Sequence, residues 1–153
     1  MAAKEIDMIT DYGMLKLFFR HLECIRGCKE MILMFYGEVD EECEKFEIEA
    51  KQVFSKEFFC TYAGKHQFRI LYVSSSIMVI FDYYLTPDEN LIKVLFLVGK
   101  GDSVSGEEQQ KFAELCDKMR IPKEKIRYMF EKDNDKIKNI CNREFSMAID
   151  SSI

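Results

Sequence analysis

Six cysteines are the residues of this chain whose chemistry depends most on their spacing. Cys24 and Cys28 lie close together with a glycine between them, which lets the chain fold back far enough for a small loop to close. The other four are scattered, at Cys43, Cys60, Cys116 and Cys141. The sequence does not choose among the many disulfide pairings that six cysteines allow. A zinc site is the competing interpretation, because His21 lies near Cys24 and Cys28.

The remaining composition argues against several classes of function. No second Cys/His pair follows at zinc-finger spacing, so no metal site is expected. No glycine-rich phosphate loop, paired catalytic carboxylates or basic stripe interleaved with aromatics is visible, so we expect no cofactor. The 22 basic and 27 acidic residues are interspersed and give a net charge of -5, which argues against nucleic acid as a partner.

Targeting signals are also missing from the sequence as it stands. No stretch approaches the ~20 apolar residues that a membrane helix needs, so no membrane insertion is expected. The first residues carry early acidic side chains and no apolar segment, so no signal peptide is visible. Taken alone, these observations favour the cytosol.

Short apolar segments recur at roughly ten-residue spacing along most of the chain, separated by Gly, Ser, Pro and Asp residues. Residues 91–98 are apolar apart from one charged residue, a composition typical of a strand that packs on both faces. Residues 46–50 alternate at period two, the mark of a half-buried strand. The predicted strands are residues 15–22, 31–36, 46–50, 58–62, 68–73, 77–85 and 91–98.

One helix is predicted after the last of these strands. Ser105 and Glu108 have the spacing of a capping box, in which each residue satisfies a backbone amide of the other. Beyond them Phe112, Leu115 and Met119 form an apolar stripe. Pro122 ends the helix, and residues 126–130 form a short apolar return.

Connections this short join antiparallel neighbours, so the strands form a meander. Curling into a barrel is the usual way for such a sheet to remove its free edges. We therefore predict an all-β fold: an antiparallel up-and-down β-barrel of seven to eight short strands with one C-terminal α-helix packed on it. The whole chain, 1–153, forms one domain, and residues 142–153 are expected to be a disordered tail.

The order of these motifs resembles the lipocalins, and within them the mammalian odorant- and pheromone-binding branch of aphrodisin-like and major-urinary-protein-like proteins. The resemblance covers residues 13–130. It rests on residues 19–24 with Cys28 and Cys43 following, on Phe58-x-x-x-Tyr62-x-Gly64, and on residues 98–101 with the helix and return strand after them. The resemblance implies an extracellular, secreted carrier of one small hydrophobic molecule, such as an odorant or pheromone.

The chain departs from the family at its start. The family's opening strand carries a Gly-x-Trp motif, whereas this sequence contains no tryptophan and is expected to lack that strand. Lys100 resembles the basic residue that covers the missing indole. A sheet without its first strand has exposed edges, which favour a homodimer or a loosened barrel. A truncated form that binds no ligand is therefore one alternative.

The resemblance also implies a disulfide arrangement and a set of cavity residues. Cys24 pairs with Cys28 or the two remain a small-loop pair, and Cys43 pairs with the C-terminal tail, here Cys141. Cys116 is expected to be a buried free thiol. The family's inward positions correspond here to a mostly apolar ligand-binding set, namely Leu15, Leu17, Leu33, Phe35, Ile48, Tyr62, His66, Phe68, Ile80, Asp82, Val94, Phe96 and Val98. The alternative is that these residues simply fill a core.

His66 and Asp82 are the polar members of that set. They lie on neighbouring predicted strands, and two polar groups inside an apolar barrel need each other or a ligand. We hypothesise that the Asp82 carboxylate holds His66, raises its proton affinity and makes ligand binding sensitive to pH. The alternative places His66 at the rim, in water.

An enzyme is the alternative from another class of function. Cys60 alternates with Phe58 and Tyr62 onto the inward face, and a cavity thiol resembles the nucleophile of the lipocalin-type prostaglandin isomerase. A thiolate is unfavourable against an apolar wall unless His66 can take the proton. We therefore expect a carrier without catalytic residues.

Overall fold

The computed structural model describes residues 2–3, 17–39, 42–100, 104–126 and 148–149. Nine strands and one α-helix occur in this part of the chain. The strands are β1 (Ala2–Ala3), β2 (Leu17–Ile25), β3 (Glu30–Val39), β4 (Glu42–Phe54), β5 (Glu57–Thr61), β6 (Lys65–Val73), β7 (Ile77–Leu85), β8 (Leu91–Gly99) and β9 (Ala148–Ile149). The helix α1 spans Gly106–Lys118, and a short 3-10 turn follows at Lys123–Lys125.

From β2 to β8, every strand pairs antiparallel with the next one along the chain. The strand order in the sheet is β1-β8-β7-β6-β5-β4-β3-β2-β9. Register shifts interrupt β2, β4 and β6, and such bulges bend a strand and increase its twist. This confirms the predicted curled, up-and-down antiparallel fold.

Several strands are longer than their apolar patterns predicted. β7 has the predicted limits, but β4 was predicted only for residues 46–50 and runs from Glu42 to Phe54. Its extra residues are largely exposed and are held by backbone pairing with β3, from Val39 opposite Glu42 to Glu30 opposite Lys51. Backbone pairing leaves no mark on the hydrophobic pattern, so alternation detected only the half-buried middle of β4.

The two edges of the sheet carry very short strands. Ala2 and Ala3 pair with β8, while Ala148 and Ile149 pair in parallel with His21 and Leu22 of β2. Residues 142–153 had been expected to be a disordered tail, and the rest of that segment lies outside the described residues. The homodimer inferred from free edges stays a prediction.

β7 and β8 are buried on both faces, as predicted for residues 91–98. Inside the curl, Met78, Ile80 and Tyr84 of β7 join one apolar cluster. On the outer face, Val79 and Phe81 pack in a second cluster whose helical members include the fully buried Phe112 and Cys116. The helix therefore covers the outside of the two strands that form one wall of the interior.

The start of α1 is fixed by the predicted capping box. The Ser105 hydroxyl accepts from the Glu108 amide at 3.2 Å, and the Glu108 carboxylate accepts from the Ser105 amide at 2.8 Å. The other Glu108 oxygen accepts a short hydrogen bond from Ser76 in the β6–β7 turn. These bonds lower the pKa of Glu108 and attach the helix to the sheet. In the described part of the chain no helix is long and apolar enough to cross a membrane.

Candidate functional site

A cavity of about 50 Å³ lies inside the curled sheet. Its wall is contributed by strands from β2 to β8 and is apolar apart from a few polar side chains. The lining residues are Leu17, Phe19, Leu33, Phe35, Ile48, Cys60, Tyr62, His66, Phe68, Ile80, Asp82 and Phe96. Ten of these were predicted from the sequence; Phe19 and Cys60 were not in the predicted ligand-binding set.

Two members of the predicted set lie elsewhere. Val94 and Val98 are buried in the inner apolar cluster but do not line the cavity. Leu15 lies outside the described residues. Phe19 is an addition that simple alternation from Leu17 would have found. A bulge between Phe19 and His21 shifts the inward-facing positions of β2 by one residue. After the bulge, Leu22 and Cys24 contact the inner cluster.

The hypothesised contact between His66 and Asp82 is present in the cavity wall. His66 Nδ1 lies 2.7 Å from Asp82 Oδ2, and the two residues are only 7% and 2% exposed. They come from the paired strands β6 and β7, where Asp82 stands opposite Phe68, the next inward residue after His66. The alternative that His66 sits at the rim in water is therefore wrong.

The second ring nitrogen of His66 fixes where its protons lie. Nε2 is 2.8 Å from the backbone oxygen of Tyr62, and because a carbonyl only accepts, Nε2 must carry a proton and donate it. One further proton is then shared between Nδ1 and Asp82 Oδ2. Whether it resides on the ring or on the carboxyl group, the pair has no net charge.

The Tyr84 ring stacks on the face of the His66 ring. The two rings are nearly parallel, with centroids 4.5 Å apart, and the Tyr84 hydroxyl donates to the Ala63 carbonyl at 2.6 Å. Gly64 permits this approach: it has φ +138°, and a Cβ there would lie 2.7 Å from the Tyr84 ring and 2.5 Å from the Leu85 oxygen. The segment from Tyr62 to Gly64 thus orients the histidine.

The shared proton changes the titration of both partners. Burial tends to lower the pKa of His66, but the hydrogen bond and charge of Asp82, with the Tyr62 carbonyl, raise it above its ordinary value. Burial raises the pKa of Asp82, and the hydrogen bond from His66 opposes that rise only in part. We infer that the pair keeps its proton beyond the range in which a free histidine loses it.

Cys60 lies beside this pair but is poorly suited to nucleophilic chemistry. It stands opposite His66 in the β5–β6 register. Burial first, and the charge of Asp82 second, raise the pKa of its thiol to about 12. Both nitrogens of His66 already have hydrogen-bond partners, so the ring is not available to take the thiol proton. This geometry argues against Cys60 as a nucleophile.

The cysteine pattern is partly visible. Cys24 and Cys28 form a disulfide with Cα atoms 4.6 Å apart, across a turn in which Arg26, Gly27 and Cys28 have left-handed backbones. The thiols that a zinc site beside His21 would need are therefore joined to each other. Cys116 is free and buried, as predicted.

The cavity volume limits what fits without rearrangement. A cavity needs roughly 10–15 Å³ to hold one water molecule. A cavity of about 50 Å³ therefore holds only a few water molecules. Aromatic rings form much of the wall, with Phe19 next to Phe35 at 5.6 Å and Phe35 next to Tyr62 at 4.9 Å between centroids. A larger molecule would require some of these rings to change rotamer.

The sequence and the fold are both similar to those of known proteins. The chain is 29% identical to odorant-binding protein 1b of Mus musculus over 132 residues, covering 86% of this chain and 77% of the relative. Its structure is similar to that of aphrodisin, a sex pheromone from female hamster, with a TM-score of 0.81, 23% identity, and coverage of 88% of this chain and 91% of that chain. It also matches the complex of bovine odorant-binding protein with undecanal, with a TM-score of 0.61, 18% identity, and coverage of 85% and 83%.

The family assignment rests on a match to a whole family rather than to one relative. The sequence pattern of the lipocalin / cytosolic fatty-acid binding protein family matches residues 1–133, most of the chain. The antiparallel curl, the internal cavity and the helix packed outside β7 and β8 agree with that match. This chain belongs to the lipocalin / cytosolic fatty-acid binding protein family.

Proposed function

We propose that this protein is an extracellular carrier that binds one small hydrophobic molecule, of the size of an odorant or pheromone, inside its barrel. The observation that carries the proposal is the cavity itself, an apolar space bounded by side chains from seven consecutive strands. Burying a ligand there removes apolar surface from water on both partners, which drives binding. The mouse relative at 29% identity is named as an odorant-binding protein, which supports the same ligand class.

Ligand entry requires some of the side chains that line the cavity to move. Phe19 and Leu17 are only partly buried, as are the lining residues Ile48 and Tyr62. These side chains can therefore move with less loss of packing than the fully buried ones. Movement of Phe19 away from Phe35 and Phe96 would enlarge the cavity at the expense of two ring contacts. Such pairs contribute about 0.5–1.5 kcal/mol each beyond their burial, an amount that ligand burial can offset.

The proposal is tested by fluorescence titration of the purified chain with N-phenyl-1-naphthylamine, followed by displacement with undecanal and with aldehydes, alcohols and fatty acids of similar length. We expect saturation at one site and complete displacement by some of these compounds but not others. Unsaturable dye uptake without displacement would contradict the proposal and would support the alternative of a chain that binds no ligand.

A matched pair of variants locates the binding site. Leu33 is 6% exposed and lines the cavity, whereas Leu91 is 60% exposed on β8. Leu33→Phe adds volume inside the cavity and should weaken dye binding at least tenfold. Leu91→Phe makes the same chemical change outside and should leave dye affinity unaltered. Equal dye affinity of both variants and the wild type would place the dye elsewhere.

We further propose secretion and a second disulfide, from Cys43 to Cys141. The Cys24–Cys28 bond supports an oxidising compartment, where disulfides persist. Cys43 is disulfide-bonded, while Cys60 and Cys116 are free; Cys141 lies outside the described residues. Closing so long a loop stabilises a chain by about 4 kcal/mol in the chain-entropy estimate. Peptide mapping without reductant should recover the Cys43–Cys141 crosslink, and two free thiols at these positions in oxidised protein would contradict it.

A further inference from the structure

One carboxylate oxygen in the cavity wall has no hydrogen-bond donor in the described part of the chain. Asp82 lines the cavity and is 2% exposed. Its Oδ2 is bound to His66, but its Oδ1 is buried and has no partner among the residues that the structure describes. A buried carboxylate oxygen that lost its water without gaining a donor is costly, and such atoms are rare in native structures.

The donors beside Asp82, on His66 and Tyr84, are committed elsewhere, and the Tyr62 hydroxyl lies against β3, where a Cβ on Gly37 would be 3.2 Å from it. Both nitrogens of His66 already have acceptors, Asp82 Oδ2 and the Tyr62 carbonyl. The Tyr84 hydroxyl, on the ring stacked against His66, donates to the Ala63 carbonyl. Cys60 offers only a thiol, which is a weak donor. No rotation of these side chains supplies Oδ1 with a strong donor without breaking one of these hydrogen bonds.

We propose that the preferred ligand is an uncharged apolar molecule with one hydroxyl group, whose O–H donates to Asp82 Oδ1. The proposal rests on the carrier function proposed above and specifies the ligand class for the same cavity. The hydrocarbon part of the ligand would lie among Phe19, Ile80 and Phe96, which line the same space. The hydroxyl is favoured over an ammonium group because the His66–Asp82 pair has no net charge to balance a cation in an apolar cavity.

The test uses displacement of N-phenyl-1-naphthylamine from the wild-type protein by three matched compounds. These are 1-octanol, 1-methoxyheptane, which has the same number of heavy atoms and no donor, and octylamine, which is protonated at neutral pH. We expect 1-octanol to bind about tenfold tighter than the ether, the effect of one hydrogen bond, and tighter than the amine. Equal affinity of 1-octanol and the ether would overturn the proposal. That result is expected if a bound water molecule, rather than the ligand, donates to Asp82 Oδ1. Tighter binding of octylamine would overturn it too.

Two variants separate the hydrogen bond from general packing. The double substitution His66→Leu with Asp82→Leu removes both polar partners together, so neither is left unpaired. It should retain saturable dye binding and bind 1-octanol and the ether within about twofold of each other. Phe96→Leu should weaken both compounds alike and keep the tenfold ratio. A ratio that survives the double substitution would contradict the role of Asp82. Absence of saturable dye binding by the wild type would instead contradict the carrier function itself.

Discussion

Phe19 of β2 and Phe96 of β8 contact each other with ring centroids 6.0 Å apart and planes at 82°. The two strands lie at opposite ends of the meander and do not pair with each other through their backbones. The curl is therefore bridged at this point by a T-shaped contact between side chains. Phe19 is thus both a wall of the cavity and a link between distant parts of the sheet.

Replacing Phe19 by alanine should destabilise the protein while leaving the sheet intact. Truncation of a core phenylalanine costs about 3–5 kcal/mol, and the value here should lie near or below the lower end because Phe19 is only partly buried. The measurement is urea denaturation followed by circular dichroism. Phe59→Ala makes the same change at a ring that is 40% exposed and should cost less than about 0.5 kcal/mol. Similar costs for the two variants would show that the Phe19 contact does not stabilise the fold.

The His66–Asp82 pair should make stability depend on pH. The folded-state pKa of His66 lies above its unfolded value of about 6.5, so the stabilisation is fully present below that pH and is lost as pH rises through the folded pKa. The raised pKa of Asp82 acts in the same direction, but from its own unfolded value of about 3.8 upward. We expect the free energy of unfolding from urea titrations to fall above pH 6.5 by at most about 1.4 kcal/mol per pH unit.

The same pair should couple pH to ligand affinity. Loss of the shared proton leaves a net negative charge in the cavity wall, which favours water over an apolar dye, so dye affinity should fall over the same range. His66→Asn should abolish this dependence. His21→Asn alters the chain's other histidine, a more exposed residue beside Glu23, and should keep the wild-type profile. An unchanged pH profile of dye affinity in His66→Asn would mean that the pair does not control binding.

Gly64 should tolerate substitution less well than another glycine with positive φ. Gly64→Ala would place a methyl group against the Tyr84 ring and the Leu85 carbonyl, and we expect a loss of at least about 2 kcal/mol from overpacking and backbone strain. Gly27 has φ +67°, but a methyl group added there would meet no atom within 4 Å, so Gly27→Ala should cost only about 1 kcal/mol. Thermal unfolding compares the two, and a smaller loss for Gly64→Ala would refute the close packing beneath Tyr84.

Cys60 should be inert in the native protein. With a thiol pKa of about 12 it is almost entirely protonated at pH 7.5, and iodoacetamide reacts with the thiolate. Mass spectrometry should find Cys60 unmodified after a labelling time that modifies it fully in 6 M guanidinium. Buried Cys116, with a pKa of about 11, provides an internal comparison. Rapid native alkylation of Cys60 alone would revive the alternative of an enzyme with a cavity nucleophile.

Most of the fold was predictable because the strands from β2 to β8 each pair with their sequence neighbours, so local alternation and turn residues determine the topology. The site was predictable where the same alternation placed residues such as Leu33 and Phe68 inward. The contact of Asp82 with His66 was predicted, but the lack of a donor for Asp82 Oδ1 was not, because it depends on which donors nearby are already engaged. The extent of β4 was not predictable either, because its charged residues are ordered by backbone pairing with β3. The pairing of Ala148 with His21 was also not predictable, since contacts between remote segments leave no local pattern in the sequence.

β7 combines burial on both faces with hydrogen-bonded neighbours on both edges. We expect its amides to exchange with solvent only when the whole molecule unfolds, so that their exchange rates report global stability. The β4–β5 turn differs, because Val53 and Phe54 are exposed beside a register shift and can open alone. Hydrogen exchange should therefore divide the barrel into a slow half around β7 and a fast half around β4 and β5. The strand that carries Asp82 therefore stays in place while the Phe19 side chain on β2 moves to admit a ligand.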